Sequence, residues 1–180
     1  MALNSLAVLA AVTALGLPLE PALARLEHFC PLPGRGEECT IAIGGKNVNI
    51  IDDAYNANPG SMIAALENLS SRKAAGRKIA VLGEMAELGP QAENYHSELA
   101  TLVERLDIDS FHVVGKLYEN FWEHIPDARK GSFAGSLDVL RGTLLDVCDE
   151  GDLVLLKGSH STRIHQVAAW LKEQRYGQPR

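Results

Sequence analysis

The stretch VNIIDDAYNANPGSM, residues 48–62, runs from a strand pattern through a polar loop into a helix pattern. Its apolar start, residues 48–51, ends in two carboxylates, an aromatic ring and two carboxamides, and the helical pattern begins after Pro59. In an α/β protein, side chains just past the carboxyl end of a strand project into the crevice where ligands bind. The loop is therefore a candidate binding site. A plain turn, with Asn58 capping the following helix, is an equal alternative on spacing alone.

The rest of the chain alternates between strand and helix patterns. Residues 79–82 and 153–156 are continuous apolar runs, which are typical of strands covered on both faces. Gly44 and Gly45 separate two strand patterns and predict a β-hairpin. The other predicted strands span residues 110–114 and 130–133, and the predicted helices span 61–75, 91–105, 117–124, 137–148 and 164–173. This order predicts an α/β fold with a Rossmann-like, doubly wound, mostly parallel sheet that starts with a β-hairpin.

The first 33 residues do not fit that alternation. Residues 3–15 predict a buried, alanine-rich helix closed by Gly16, residues 21–28 predict a second helix, and a Pro/Gly-rich linker follows. The apolar run has no basic residues before it and is interrupted at Thr13, Gly16 and Pro18. These features argue against a secretory signal and against insertion into a membrane. We expect either an appendage or the tail of another domain.

Composition excludes several classes of function. The chain has 17 Lys and Arg against 23 Asp and Glu, a net charge of −6, and no basic stripe, which argues against nucleic acid as a partner. Its three cysteines are an odd number without CxxC spacing, so we expect free thiols in a reducing compartment and no metal site. Neither a GxxxxGK[ST] phosphate loop nor a GxGxxG motif occurs, so the chain lacks a phosphate-cradling loop of its own.

Polar or glycine-rich turns follow four of the predicted strands. These turns begin at Asp52, Gly83, Gly115 and Lys157. The carboxyl ends of parallel strands share one edge of the sheet, so we expect the four turns to line one polar groove. For any single turn, glycine needed only for the turn itself is the alternative.

Five segments together resemble the carboxy-terminal part of the Mur ligase family. They are residues 4–11, residues 33–35, the loop 52–59, the block 82–89 with His96 downstream, and residues 156–159. The likeness runs in order along essentially the whole chain. Among the family's members it is closest to the enzyme that adds D-Ala-D-Ala to UDP-MurNAc-tripeptide.

The resemblance implies a cytoplasmic, ATP-dependent ligase of peptidoglycan precursor synthesis that works through an acyl phosphate. It implies that residues 1–33 are a helical remnant of the central ATPase domain with its hinge, and that residues 34–180 are the carboxy-terminal Rossmann-like domain. The phosphate loop and most ligands of Mg²⁺ would then belong to the central domain. This chain would be inactive without the amino-terminal and central domains of the same polypeptide.

The resemblance also implies roles for individual residues. Those expected to contact the nucleotide are Asn4, Arg35, Asp52, Tyr55, Asn56 and Asn58, and those expected to act in catalysis are Arg35 and Lys157. Gly158, Ser159 and Arg163 are expected to face the dipeptide. The family usually has arginine where this chain has His160, and Arg163 is the candidate to replace it.

Two other functions remain open on the sequence. One is a stand-alone Rossmann-like binding module that kept the groove, and the other is a different amide ligase of the Mur family. The apolar helix at residues 3–15 separates the first from the fragment hypothesis. In a fragment, its apolar surface would stay exposed for an absent domain.

Overall fold

The computed structural model describes residues 2–174, which form two compact units divided between Pro31 and Leu32. The first unit contains helices α1 (Ala2–Ala14) and α2 (Leu19–Glu27). None of the helices in the described part of the chain has the length and apolar character that crossing a bilayer requires.

Helix α1 lies where the sequence predicts a helix, but the prediction that it is buried is wrong. None of its side chains from Asn4 to Ala14 is buried, and Leu6 and Val8 keep 61% and 50% of their surface exposed. The physical reason is that α1 is apolar around most of its circumference, and such a helix needs neighbours on every side. A single nine-residue partner, α2, supplies too little surface.

The second unit is built on a six-stranded sheet with the order β1-β2-β6-β3-β4-β5. Its strands are β1 (Glu37–Ile43), β2 (Lys46–Asp53), β3 (Lys78–Gly83), β4 (Ser110–Val114), β5 (Lys130–Ala134) and β6 (Leu153–Lys157). The first two strands form the predicted antiparallel hairpin, and all other pairings are parallel. The predicted fold class is therefore confirmed.

Helices cover both faces of the sheet. They are α3 (Pro59–Ser71), α4 (Ala92–Glu98), α5 (Ala100–Val103), α6 (Glu119–His124), α7 (Leu137–Val147) and α8 (Ile164–Gln174). Alternate strand residues point to opposite faces: Ala80 packs in the cluster of α3 to α6, and Val81 in the cluster of α7 and α8. The sheet thus has an apolar layer on each side, as its continuous apolar strands predict.

Two of the predicted helices differ most from those in the structure. The helix expected over residues 91–105 is interrupted at Leu99, which separates α4 from α5. The helix expected over residues 61–75 ends at Ser71, because Arg72 takes an extended conformation with φ −76° and ψ 152°. Apolar periodicity continues through both places, so it does not mark either end.

Candidate functional site

The loop after β2 begins inside the strand and ends as a helix cap. Asp52 and Asp53 are the last residues of β2, and Asn58 is the N-cap of α3. The Asn58 side chain accepts a hydrogen bond from the Ser61 N–H at 2.9 Å, and the Asn58 N–H donates to Ser61 Oγ at 3.0 Å. Pro59 follows as the first helical residue, where its missing N–H costs nothing. The cap predicted from the sequence is therefore present, and it fixes the far end of the loop.

Asp52 is buried and ion-paired. The Lys172 Nζ on α8 lies 2.6 Å from Asp52 Oδ2 and 2.7 Å from Glu37 Oε2. Burial acts to lower the pKa of Lys172, but the hydrogen bonds to the two carboxylates outweigh it and the pKa is raised overall. These three charged side chains join α8 to the start of the hairpin. Sequence reasoning missed Lys172, because nothing in its neighbourhood signals a partner 120 residues away.

Arg35 and Tyr55 are brought into contact at this edge. The Tyr55 N–H donates to the Gly34 carbonyl at 2.9 Å, and the Gly36 N–H donates to the Asp52 carbonyl at 2.8 Å. The Arg35 guanidinium carbon lies 4.3 Å from the centre of the Tyr55 ring, within the range of a cation–π contact. Gly34 has φ +73°, and a Cβ there would lie 3.1 Å from Tyr55 Cβ, so glycine permits this close approach.

Lys157, predicted to be catalytic, is the last residue of β6 and is only 1% exposed. Its Nζ donates to Asp53 Oδ2 at 2.7 Å and to the Asn56 carbonyl at 3.1 Å. The Asn56 side chain turns back and accepts from the Ala57 N–H at 2.8 Å. The ammonium group therefore holds the loop after β2. Its role in catalysis stays a prediction.

Gly158 and Ser159 lie where the loops after β6 and β3 touch. A Cβ on Gly158 would lie 2.8 Å from Thr162 Oγ1 and 3.0 Å from Gly83 Cα, so only glycine allows the two backbones to approach this closely. Ser159 is buried, and its N–H donates to the Glu84 carbonyl at 3.0 Å. The predicted contact of both residues with the dipeptide stays a prediction.

The loop after β3 is fixed at two points, by its own Glu84 side chain and by the His96 side chain of α4. The Leu117 N–H donates to Glu84 Oε1 at 2.9 Å, and the Met85 N–H donates to His96 Nε2 at 2.9 Å. His96 Nδ1 lies 2.7 Å from the Ala92 carbonyl, so the ring is neutral with its proton on Nδ1. Burial lowers the pKa of His96 and favours this neutral form. From the sequence, His96 was noted only through the family resemblance.

The turn between β6 and α8 presents imidazoles and a guanidinium. His160 stacks on His165 with 4.2 Å between ring centres. The His160 and Tyr55 rings make an edge-to-face contact with 5.8 Å between their centres. Burial, and then the neighbouring His160, lower the pKa of His165. Arg163 is exposed, adopts the left-handed conformation at φ +59°, and makes no side-chain ion pair within residues 2–174. A non-glycine residue in this conformation is unusual and often marks a functional position.

The remaining predicted residue, Asn4, belongs to the first unit. It lies on α1 and lines a small apolar cavity of about 130 Å³ between the two helices, together with Ser5, Val8, Leu26 and Phe29. As for metals, residues 2–174 contain no group of three or more His, Cys, Asp and Glu side chains arranged to hold an ion.

Comparison with known proteins identifies the family. The family described as Mur ligase, glutamate ligase domain, matches residues 34–160. The UDP-N-acetylmuramoyl-tripeptide–D-alanyl-D-alanine ligase of Treponema pallidum is 33% identical over 175 residues, covering 96% of this chain and 37% of that protein. The ligase of the same name from Bacillus subtilis is 30% identical over 175 residues, covering 95% of this chain and 37% of that protein.

Solved structures give the same result. The MurF ligase of Thermotoga maritima in complex with ADP superposes with a TM-score of 0.73 at 27% identity, over 93% of this chain and 36% of that one. MurF from Acinetobacter baumannii superposes with a TM-score of 0.75 at 29% identity, over 94% of this chain and 37% of that one. The chain thus spans little more than a third of the length of the relatives it matches. Since the family match covers most of its residues, the chain belongs to the Mur ligase family, to the part described as the glutamate ligase domain.

Proposed function

We propose that this chain is the carboxy-terminal part of a cytoplasmic ligase that uses ATP to add D-Ala-D-Ala to UDP-MurNAc-tripeptide in peptidoglycan precursor synthesis. The observation that carries the proposal is the match of nearly the whole chain to ligases of that name, over only 37% of their length. The four turns after β2, β6, β3 and β4 support it, because they lie side by side at one edge of the sheet.

In the proposed reaction, ATP phosphorylates the carboxylate of the tripeptide, and the amine of D-Ala-D-Ala then attacks the acyl phosphate. Arg35 is exposed beside Tyr55, and its guanidinium would stabilise the negative charge that develops on the phosphate. Tyr55, 47% exposed, would flank the base. Asn56 and Asn58 would contact the nucleotide from the same loop.

The charged residues that are already paired would act by shaping the loop. Asp52 is held by Lys172, and Lys157 is held by Asp53, so each presents its part of the loop in one conformation. Arg163 is the exposed cation of the turn after β6, and it would bind the carboxylate of the dipeptide beside Gly158.

The Mg²⁺ ion that the family implies would be held mainly by the central domain. The described residues of this chain offer no group of three ligating side chains for it. Magnesium prefers carboxylates and phosphate oxygens. The carboxylates at this edge are engaged instead, Asp52 by Lys172 and Asp53 by Lys157.

We further propose that residues 1–33 belong to the central ATPase domain and its hinge, and residues 34–180 to the carboxy-terminal domain. Several large apolar side chains of the first unit are exposed, and they are Leu6, Val8, Leu15, Leu17, Leu23 and Phe29. An isolated soluble module would expose fewer of them together, so this surface favours a fragment over a stand-alone binding module.

The test is a ligase assay on the full-length polypeptide that contains this chain. Release of phosphate from ATP should require UDP-MurNAc-tripeptide and D-Ala-D-Ala together, and glutamate or a single amino acid should not replace the dipeptide. Arg35→Ala should lower kcat by about 10²–10³, the usual cost of removing one group that stabilises developing charge. Arg105→Ala is the matched control and should keep full turnover, because this exposed arginine follows α5 and pairs only with the exposed Glu67 side chain among the described residues.

Two results would contradict the proposal. Turnover with glutamate instead of the dipeptide would favour another amide ligase of the family. Wild-type kcat in the Arg35→Ala protein would remove the proposed role of Arg35.

A further inference from the structure

The loops that follow the parallel strands lie along the edge of the sheet where those strands end, called the carboxyl edge below. Hydrogen bonds connect each of these loops to the loop of the neighbouring strand. The sheet places β6 between β2 and β3, with β4 next. Lys157, at the end of β6, bonds the loop after β2 through Asp53. Glu84, after β3, bonds the loop after β4 through the Leu117 N–H. Between these two links, one backbone hydrogen bond and the hydroxyl of one side chain connect the loops in the described part of the chain.

That side chain is Ser159. Its hydroxyl donates to the Ala57 carbonyl at 3.2 Å and accepts from the Ala86 N–H at 2.8 Å. Its own N–H donates to the Glu84 carbonyl at 3.0 Å. A serine hydroxyl has one proton to donate and two lone pairs, so one small side chain serves a carbonyl from one loop and an amide from another.

The backbone around Ser159 is arranged for this bridge. The Thr162 hydroxyl donates to the Ser159 carbonyl at 2.6 Å and holds the turn. Gly158 and Gly83 let the backbones after β6 and β3 come within contact, because a Cβ on Gly158 would lie only 3.0 Å from Gly83 Cα. At this separation a one-carbon side chain reaches both loops.

We infer that Ser159 is a positioning residue that joins the loops after β2, β3 and β6 into one rigid body and does not itself bind the dipeptide. Only 3% of Ser159 is exposed, and its hydroxyl already has a donor and an acceptor. Ser159→Ala removes the hydroxyl and leaves the buried Ala57 carbonyl and the partly buried Ala86 amide without this partner. The catalytic consequence rests on the proposed function: the nucleotide-facing loop and the dipeptide-facing turn would keep a fixed separation.

The first experiment needs no enzymatic activity. Amide hydrogen exchange, followed by NMR on the 180-residue chain, would compare wild type with Ser159→Ala and with Ser161→Ala, an exposed serine in the same turn. We expect exchange at the Ala86 amide to accelerate about tenfold or more in Ser159→Ala only, with the Val81 amide of β3 unchanged. An Ala86 amide as protected as in wild type would overturn the inference. If Ser159→Ala unfolds, Ser159→Cys provides the same test, because a thiol is similar in shape but bonds weakly.

The second experiment is kinetic and uses the full-length ligase. A positioning role predicts that Ser159→Ala lowers kcat and raises KM for both ATP and D-Ala-D-Ala, by about tenfold to a hundredfold in kcat/KM. Ser159→Thr, which keeps the hydroxyl, should recover much of the loss. A rise in KM for D-Ala-D-Ala alone would mean direct contact with the dipeptide and would overturn the inference. If wild type shows no ligase activity, the proposed function fails, and the exchange measurement still decides the role of Ser159.

Discussion

Buried charged side chains have different partners at the two edges of the sheet, the amino edge, where the parallel strands begin, and the carboxyl edge, where they end. At the amino edge, Asp152 accepts from the Arg77 N–H at 2.8 Å, from Arg77 Nη2 at 2.7 Å and from the Asp149 N–H at 2.9 Å. The hydrogen bond to Asp152 raises the pKa of Arg77. At the carboxyl edge, Lys157 and Ser159 bond loop backbone, while Arg35 and Tyr55 stay open to solvent.

The difference separates stability from function. At the amino edge, the charged side chains of Arg77 and Asp152 pair with each other, and Asp152 also binds backbone amides there. Charges at the carboxyl edge hold loops in place and leave other side chains available to a ligand. Substitutions at the amino edge should therefore change the free energy of unfolding, and those at the carboxyl edge should change binding and turnover as well.

The largest expected effect is at Asp152. Asp152→Ala removes four hydrogen bonds from a side chain that is 1% exposed and leaves Arg77 without its carboxylate. We expect a loss of about 3–5 kcal/mol in the free energy of unfolding, measured by urea denaturation, because the backbone amides of Arg77 and Asp149 both lose their acceptor. Asp146→Ala, on the exposed side of α7, is the control and should change it by less than about 0.5 kcal/mol. Equal losses in both would show that the amino edge is not a special source of stability.

Lowering the pH should destabilise the fold through a buried histidine that lies at neither edge of the sheet. Burial, and then the nearby Arg77, lower the pKa of His112 on β4 to about 4. The folded state therefore binds this proton more weakly than the unfolded state, where the pKa is 6.5, so stability is complete above pH 6.5 and falls towards pH 4. The loss should reach about 3 kcal/mol. Urea denaturation at pH 7, 5 and 4 would measure it, and a His112→Gln chain with the same pH dependence would exclude His112 as its source.

Asn58 allows the cap and the ligand role at the carboxyl edge to be separated. Asn58→Ala loses the capping box with Ser61 and should cost about 1 kcal/mol of stability. Asn58→Ser keeps a good cap and should recover that stability. If Asn58 also contacts the nucleotide, the serine variant should still show a raised KM for ATP in the full-length ligase. Recovery of both stability and KM would leave the helix cap as the only role of Asn58.

The smallest effect in stability is expected at Arg163. Its φ of +59° disfavours any side chain with a Cβ, so Arg163→Gly should stabilise the fold by about 0.5–1 kcal/mol. Arg163→Ala should show no such gain. Both variants should raise KM for D-Ala-D-Ala, because both lose the guanidinium. A stabilised glycine variant with unchanged KM would mean that the strain at Arg163 serves no binding role.

The sequence predicted those features that depend on local patterns. The hairpin at Gly44 and Gly45, the apolar strands, and the polar turns at one sheet edge all follow from residues close together in the chain. Whether the predicted residues act on a nucleotide and a dipeptide stays a prediction. The family resemblance, by contrast, needed only short motifs in a fixed order.

Four features could not be predicted in this way, and the first two depend on contacts between distant segments. Lys172 meets Asp52 across 120 residues, and Ser159 meets Ala57 across 102. The exposure of α1 depends on what surrounds it, which helical periodicity does not report. The interruption at Leu99 is likewise invisible, since the apolar spacing is unbroken on either side.

The antiparallel direction of β1 decides where the chain enters the second unit. Glu37 lies opposite Asp52, so the first strand begins at the carboxyl edge and runs away from it. Had β1 been parallel to the others, the segment before it would have entered at the opposite edge, about 20 Å away for seven residues. The hairpin thus lets a residue that precedes the first strand, Arg35, share an edge with turns encoded up to 128 positions later, at Arg163. An insertion that reversed or removed β1 would separate them while leaving the five parallel strands intact.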